Sequence, residues 1–450
     1  MSTSIPIEAA FRGPRARDRL RRAGVCLLVA TLAWGPLGVM HAQPVARGLP
    51  SLGDGLGLSL GAERRIGDGI ARELYRDPDY LDDPVLDEYV GGLWQSLLDA
   101  ARARGELPPE MQDRFAWQVL LGRDRSVNAF ALPGGYLGLH LGLIGVTASR
   151  DELASVLAHE LSHVTQRHVA RLIGQQERST PLLVGAMILG AIAASRNPQA
   201  ANALMVGGQA LAIQNQLNFS RDMEREADRV GHGLLVQAGF AEQGAIGMFE
   251  KLQQASRLND NGSYPYLRSH PLTTERLADM QARQGMTNGN LGAGTPDIEH
   301  AMIAARARVL SAPGVDVWRA WVAASDARDL GQQGPDRRAA VLYAAALSAR
   351  QLGDAPRASA LATRLSGLAT LPSGAARLAR LLQAELALRA GEAARALEWL
   401  SIEQPAGRAD RSELLLRAQA QRQSRTPAGL ADAAGRLRGW LVEHTRDAGA

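Results

Sequence analysis

The spacing of apolar and polar positions divides the chain into a mixed first part and an almost wholly helical second part. Apolar residues recur at three- and four-residue intervals from about Ala62 to Arg104, which predicts helix. The segment Tyr80-Leu81-Asp82-Asp83-Pro84 interrupts that pattern as a loop and a fresh helix start. Phe115 to Leu121 alternates and predicts a strand. Val127 to Leu132 predicts a second extended segment, joined by the turn Pro133-Gly134-Gly135 to a third at Tyr136 to Leu141. A helix is expected to begin near Ser149, with Asp151 and Glu152 in its first turn, and to run unbroken from Glu152 to Ile173. Asn202 to Phe219 and Arg221 to Ala238 predict further helices, the latter ended by Gly239. Two apolar stretches, Pro181 to Ala194 and Leu204 to Ile213, fit helical core, a cleft lining or a membrane contact equally well. The first spans 14 residues, too few to cross a bilayer.

Past a Gly-, Asn- and Thr-rich stretch, the chain from Asp297 onward reads as helix with an internal repeat. Gln351-Leu352-Gly353-Asp354 returns in outline as Arg389-Ala390-Gly391-Glu392, 38 residues later. Tyr343, Gly353, Ala358 and Pro372 fall close to tetratricopeptide spacing, and Ala387, Gly391, Ala396 and Pro405 follow it more loosely. A glycine permits the tight turn between paired helices, and a small alanine lets them approach. The expected fold is mainly α with a small β-sheet. The expected organisation is a signal at 1–42, a flexible segment at 43–61, a catalytic domain at 62–285, a linker at 286–296 and tetratricopeptide-like helical repeats at 297–450.

Charge narrows the function classes. The formal charge is +4, but residues 1–42 carry six arginines and two acidic residues, and their removal leaves 44 of each sign. No basic footprint for nucleic acid remains. A basic stretch ending at Arg22, an apolar run from Ala23 to Met40 and the small Ala42 together read as a cleaved secretory signal, which places the protein outside the cytoplasm. The single cysteine, Cys26, lies within it, so the mature chain has no thiol chemistry.

The chemistry centres on His159-Glu160-Leu161-Ser162-His163. Helical residues four apart lie about 40° apart around the axis, so the two imidazoles share a face and can bind one ion. Glu160 beside them can act as general base toward water held at that ion. His168, nine positions after His159, falls on roughly the opposite face and is expected at the surface. A third ligand is expected from the acidic helix Ser220 to Asp228. There Glu224 and Asp228 share a face, Glu224 to bind metal and Asp228 to hold a ligand histidine through its other nitrogen. Glu226 lies about 200° from Glu224. His140 and His232 have no such context and read as structural.

HELSH, EREAD and the upstream Asn128-Ala129-Phe130-Ala131-Leu132-Pro133-Gly134-Gly135 resemble the gluzincin metalloendopeptidases of the CAAX prenyl endopeptidase and HtpX type, over about residues 60 to 285. The secretory signal, Ser269-His270-Pro271-Leu272-Thr273-Thr274-Glu275-Arg276 and the repeats point to exported members of that family. The resemblance implies a single Zn2+ held by His159, His163 and Glu224, with Glu160 catalytic. It also implies an active-site role for His270, as resting ligand or oxyanion donor. Asn128, Ala129, Phe130 and Ala131 would form an edge strand along which substrate lies. The implied setting is the periplasm. Clients would be unfolded or misassembled outer-membrane proteins, with the barrel assembly machinery as a partner of the repeats and peripheral membrane contact as a further option. A chaperone or adaptor with latent proteolysis, and a broad scavenging peptidase, remain alternative readings.

Overall fold

The computed structural model describes residues 58–174, 220–257, 263–283, 297–369, 371–401 and 411–444. The signal segment, the stretches Pro181 to Ala194 and Asn202 to Phe219, the linker 286–296 and Pro405 lie outside these residues. Among the described residues, no helix is long and apolar enough to cross a membrane.

The mixed first part begins with α1 (Leu60–Arg76), whose Ser59 hydroxyl accepts from the Ala62 N–H. The break at Tyr80–Pro84 stands as expected. Asp83 caps α2 (Pro84–Ala103), with Pro84 in the first turn, where a missing N–H costs nothing. After α3 (Pro109–Arg114) come β1 (Gln118–Gly122), β2 (Ala129–Leu132) and β3 (Tyr136–His140). They form one sheet in the order β1-β3-β2, with β3 parallel to β1 and antiparallel to β2. The strand β2 is thus an edge, as the family resemblance implied.

Behind the sheet, α4 (Leu141–Val146) leads into α5 (Arg150–Thr165), which Ser149 caps by accepting from the Glu152 N–H. On α5, Leu153, Leu157 and Leu161 are fully buried, and the helix packs against α2, β2, α7 (Arg221–Gln237) and α8 (Gln243–Arg257). The expected single helix from Glu152 to Ile173 is not formed. It ends at Thr165, Arg167 takes a left-handed φ of 53°, and α6 (His168–Gly174) sets off in a new direction. The Arg167 guanidinium explains the break. It is buried, 3.1 Å from Glu63 Oε2 on α1, and donates to the Leu58 carbonyl at 2.6 Å. Two charge-assisted bonds hold a backbone conformation that a non-glycine residue otherwise disfavours. Two more helices, α9 (Tyr266–Ser269) and α10 (Thr274–Arg283), complete this part.

The second part runs through α11 (Ile298–Leu310), α12 (Val315–Ala324), α13 (Pro335–Gln351), α14 (Ala355–Ser366), α15 (Ser373–Arg389), α16 (Ala393–Leu400), α17 (Arg411–Ser424) and α18 (Pro427–Glu443). The two repeat glycines do what the spacing asked of them. Gly353 and Gly391 turn α13 into α14 and α15 into α16 with φ of 80° and 83°, and Ala358 and Ala396 are buried where the paired helices meet.

These repeats do not stand apart from the first part. Arg306 on α11 is buried and bonds both oxygens of Asp83, at 2.8 and 2.7 Å, as well as Glu385 on α15 at 2.7 Å. It also donates to Tyr343 Oη on α13 at 3.1 Å. On the same side, His300 lies 2.9 Å from Tyr89 Oη on α2 and 3.1 Å from Thr147 Oγ1 after α4. One cation therefore satisfies the cap of α2 and two repeat helices at once. Arg306→Ala leaves Asp83 and Glu385 buried without it and is expected to cost about 3–5 kcal/mol. Urea denaturation measures this, and a loss below about 1 kcal/mol would mean water replaces the guanidinium freely.

Candidate metal centre

The site is assembled where α7 crosses α5. At the crossing is Gly231, where a Cβ would sit 3.1 Å from the Ala158 carbonyl oxygen and the His159 Cα. The missing side chain lets α7 lie directly on the histidine turn. From there Glu224 and Asp228, one turn apart on the buried face of α7, both reach the imidazoles of α5.

His159 Nε2 and His163 Nε2 lie 3.0 Å apart. Glu224 is 3.5 Å from the first and 3.4 Å from the second. A fourth donor arrives from the segment after α9. His270 Nδ1 lies 3.0 Å from Glu224 Oε1 and 3.4 Å from His159 Nε2. All four residues are buried, and one donor from each lies within 4.8 Å of every other. Bonds of about 2.0–2.1 Å in a tetrahedron put donors about 3.3 Å apart, so the spacing suits one zinc-sized ion. The donor chemistry, imidazole nitrogens with one carboxylate, fits the same ion.

Glu160 stands beside the cluster. It is fully buried, and its polar neighbours among the described residues include His270 and the Tyr266 hydroxyl. His270 Nε2 lies 3.4 Å from its Oε1. Burying an ionisable group is costly unless polar partners meet it there.

The surroundings fix the rings and their charge. Asp228 Oδ1 holds His159 Nδ1 at 3.0 Å. Arg276, on α10, bonds both Asp228 oxygens at 2.6 and 2.8 Å and lies 2.8 Å from Glu224. Burial opposes charge on His159, but Asp228 and Glu224 prevail and push its pKa up to about 10. Burial, and then the His159 charge, drive His163 well below the usual imidazole range. Burial works to raise Glu224, yet His270 and His159 hold it well below the ordinary carboxylate range. The carboxylates thus favour positive charge at the centre of the cluster.

The expected residues His159, Glu160, His163, Glu224, Asp228 and His270 are all brought together. One expectation fails. His168 is not at the surface; it is fully buried, its Nδ1 2.9 Å from His163 Nδ1 and its Nε2 3.1 Å from Glu226. The helix break at Arg167 turns it inward. Arg276 and Tyr266 were not singled out from the sequence. Tyr266 stacks on the His270 ring at 4.5 Å between centroids. The HPxxxxR spacing that carries Arg276 was visible but had no partner to give it meaning. His140 and His232 stay outside the cluster, near Ser126 and Glu242.

The edge strand lies against α5. Asn128 accepts from the His140 N–H at 3.0 Å, which aims the backbone of Asn128 and Phe130 at β3. Ala129 and Ala131 then aim their N–H and C=O groups at the opposite edge. Val127 shows what that edge can hold. Its N–H donates to the Ser263 carbonyl at 2.8 Å, and its own carbonyl accepts from the Tyr266 N–H at 3.3 Å. The Phe130 ring packs across Gly138, with the cluster formed by Ile66, Ile70 and Leu120.

Residues 94–284 match the model for peptidase family M48. The chain is 35% identical over 269 residues to the beta-barrel assembly-enhancing protease of Escherichia coli (strain K12), which covers 59% of this chain and 53% of that protein. The Yersinia pestis protein of the same name is 32% identical over 299 residues, 64% of this chain and 58% of its own. The mitochondrial metalloendopeptidase OMA1 of Saccharomyces cerevisiae is 27% identical over 197 residues, 42% of this chain and 54% of its own. The chain spans about half the length of the curated relatives it matches. Residues 94–284, which hold the whole buried cluster, are thus the part of the chain that is similar to peptidase family M48.

Proposed function

We propose that the chain is a zinc endopeptidase acting on extended segments of exported proteins. The observation that carries this is the set of donors at tetrahedral spacing, with the buried Glu160 carboxylate beside them. His159, His163 and Glu224 would hold the ion. When bound, zinc polarises the scissile carbonyl and acidifies a water molecule. Glu160 takes the proton of the attacking water and delivers it to the leaving amine. Asp228, backed by Arg276, keeps His159 in the tautomer that presents Nε2.

His270 supplies a fourth protein donor, and four protein donors make a closed set, whereas a catalytic site keeps a position for water. His270 is therefore a resting donor that withdraws when substrate arrives. Its loop is tied to Val127 at the edge of β2, so substrate pairing with Ala129 and Ala131 meets the loop directly.

The relatives named for beta-barrel assembly support a finer reading. In it the chain is exported by residues 1–42 into the periplasm. Its peptidase domain spans 62–285, and tetratricopeptide-like repeats at 297–450 hold misassembled outer-membrane proteins or their assembly machinery.

Glu160→Gln is expected to retain zinc and lose about 10²–10⁴-fold in casein hydrolysis against wild type. Full activity in that variant refutes the mechanism. Undiminished barrel assembly by an inactive Glu160→Gln protein instead favours the chaperone reading. His270→Ala is expected to bind zinc more weakly and to hydrolyse unfolded substrate faster than wild type. Unchanged zinc content and unchanged hydrolysis would remove His270 from the site.

A further inference from the structure

The two imidazoles of α5 are held from behind in different ways. His159 leans on a carboxylate, Asp228, which leans on Arg276. His163 leans on a second imidazole. Its Nδ1 lies 2.9 Å from His168 Nδ1, His168 Nε2 lies 3.1 Å from Glu226 Oε2, and Glu226 accepts from Arg171 at 2.8 Å.

We propose that His168 is a positioning residue which, with Glu226, fixes the tautomer and ring orientation of His163 for metal binding. This rests on the zinc reading above. Proton bookkeeping carries it. Ionised Glu226 only accepts, so the His168 proton sits on Nε2 and points at it. His168 Nδ1 is then an acceptor, and its 2.9 Å contact with His163 Nδ1 places the shared proton on His163 Nδ1. That leaves His163 Nε2 with a free lone pair, and Nε2 is the atom that faces His159 and Glu224. The reverse arrangement would put a proton on His163 Nε2, pointing into the cluster. A neutral imidazole has one donor and one acceptor, so the relay admits a single sense.

A buried histidine that merely needs a partner would be content with any carbonyl. His168 instead meets the one nitrogen whose protonation decides whether His163 can bind a metal. The arrangement also depends on the break in the helix. Continuing α5 would carry His168 to the far side, and the left-handed Arg167, held by Glu63 and the Leu58 carbonyl, prevents that. Glu226 is the fixed point of the relay. It bonds His168 from α7, the helix that also brings Glu224, so the two helices constrain both imidazoles together.

The test titrates the full-length chain with zinc against a competing chromophoric chelator, and records the visible spectrum of the cobalt-substituted protein. His168→Phe, which keeps ring volume but removes the acceptor, is expected to bind zinc 10–100-fold more weakly than wild type. Glu226→Gln, at a partly exposed side chain, is expected to weaken binding less and to shift the cobalt ligand-field bands with unchanged melting of the metal-free protein. Wild-type zinc affinity in a His168→Phe protein with native circular dichroism overturns the proposal. If that variant does not fold, unaltered zinc affinity and cobalt spectrum in Glu226→Gln overturn it. A wild-type chain that binds no zinc refutes the zinc reading itself, which separates the two failures.

Discussion

Carboxylates buried against imidazoles are the constraint around which this fold is arranged. Glu224 and Asp228 sit on one helix, His159 and His163 on another, and neither set is tolerable in an apolar interior alone. Their approach depends on the absence of a side chain at Gly231 and on Arg276, which offsets both acids from a third helix. The leucines of α5 fix where that helix lies, and the charged groups fix how α7 and α10 meet it. Removing a partner here would leave an uncompensated buried charge, so each polar contact constrains its neighbours.

The same logic recurs at the docking of the repeats. Arg306 is buried among Asp83, Glu385 and Tyr343, and it joins the cap of α2 to helices that lie more than two hundred residues later in the chain. The helices carrying the cluster and those of the repeats therefore share an apolar core as well as an ionic one. Motion of the first repeat helices against α2 would expose both.

Much of this was legible in the sequence, for identifiable reasons. His159, Glu160 and His163 follow from helical geometry, since four-residue spacing on one helix fixes which side chains share a face. Glu224 and Asp228 follow from the same rule on a second helix. The turns at Gly353 and Gly391 follow from local turn chemistry, whereas the edge position of β2 was implied by the family resemblance. What stayed hidden depends on contacts far away in the chain. Arg167 carries no local sign of a left-handed conformation, because the groups that hold it, Glu63 and Leu58, lie about a hundred residues earlier. One residue out of phase was enough to move His168 from the expected surface to the interior. Arg276 and Arg306 were unreadable for the same reason, because an arginine's role is set by the acids that the fold brings to it.

The edge strand β2 is short. Val127 is already occupied by the segment that leads to His270, so what remains beside α5 is the span from Ala129 to Ala131, where the buried Ala129 and Ala131 direct their N–H and C=O groups away from β3. If substrate pairs there as proposed, so small a grip, at about 0.5–1.5 kcal/mol for each net hydrogen bond, leaves a visiting chain a brief residence. Selection among visitors then falls less on this strand than on whatever keeps a polypeptide nearby long enough to return to it repeatedly. A folded protein, whose segments are engaged elsewhere, would seldom stay.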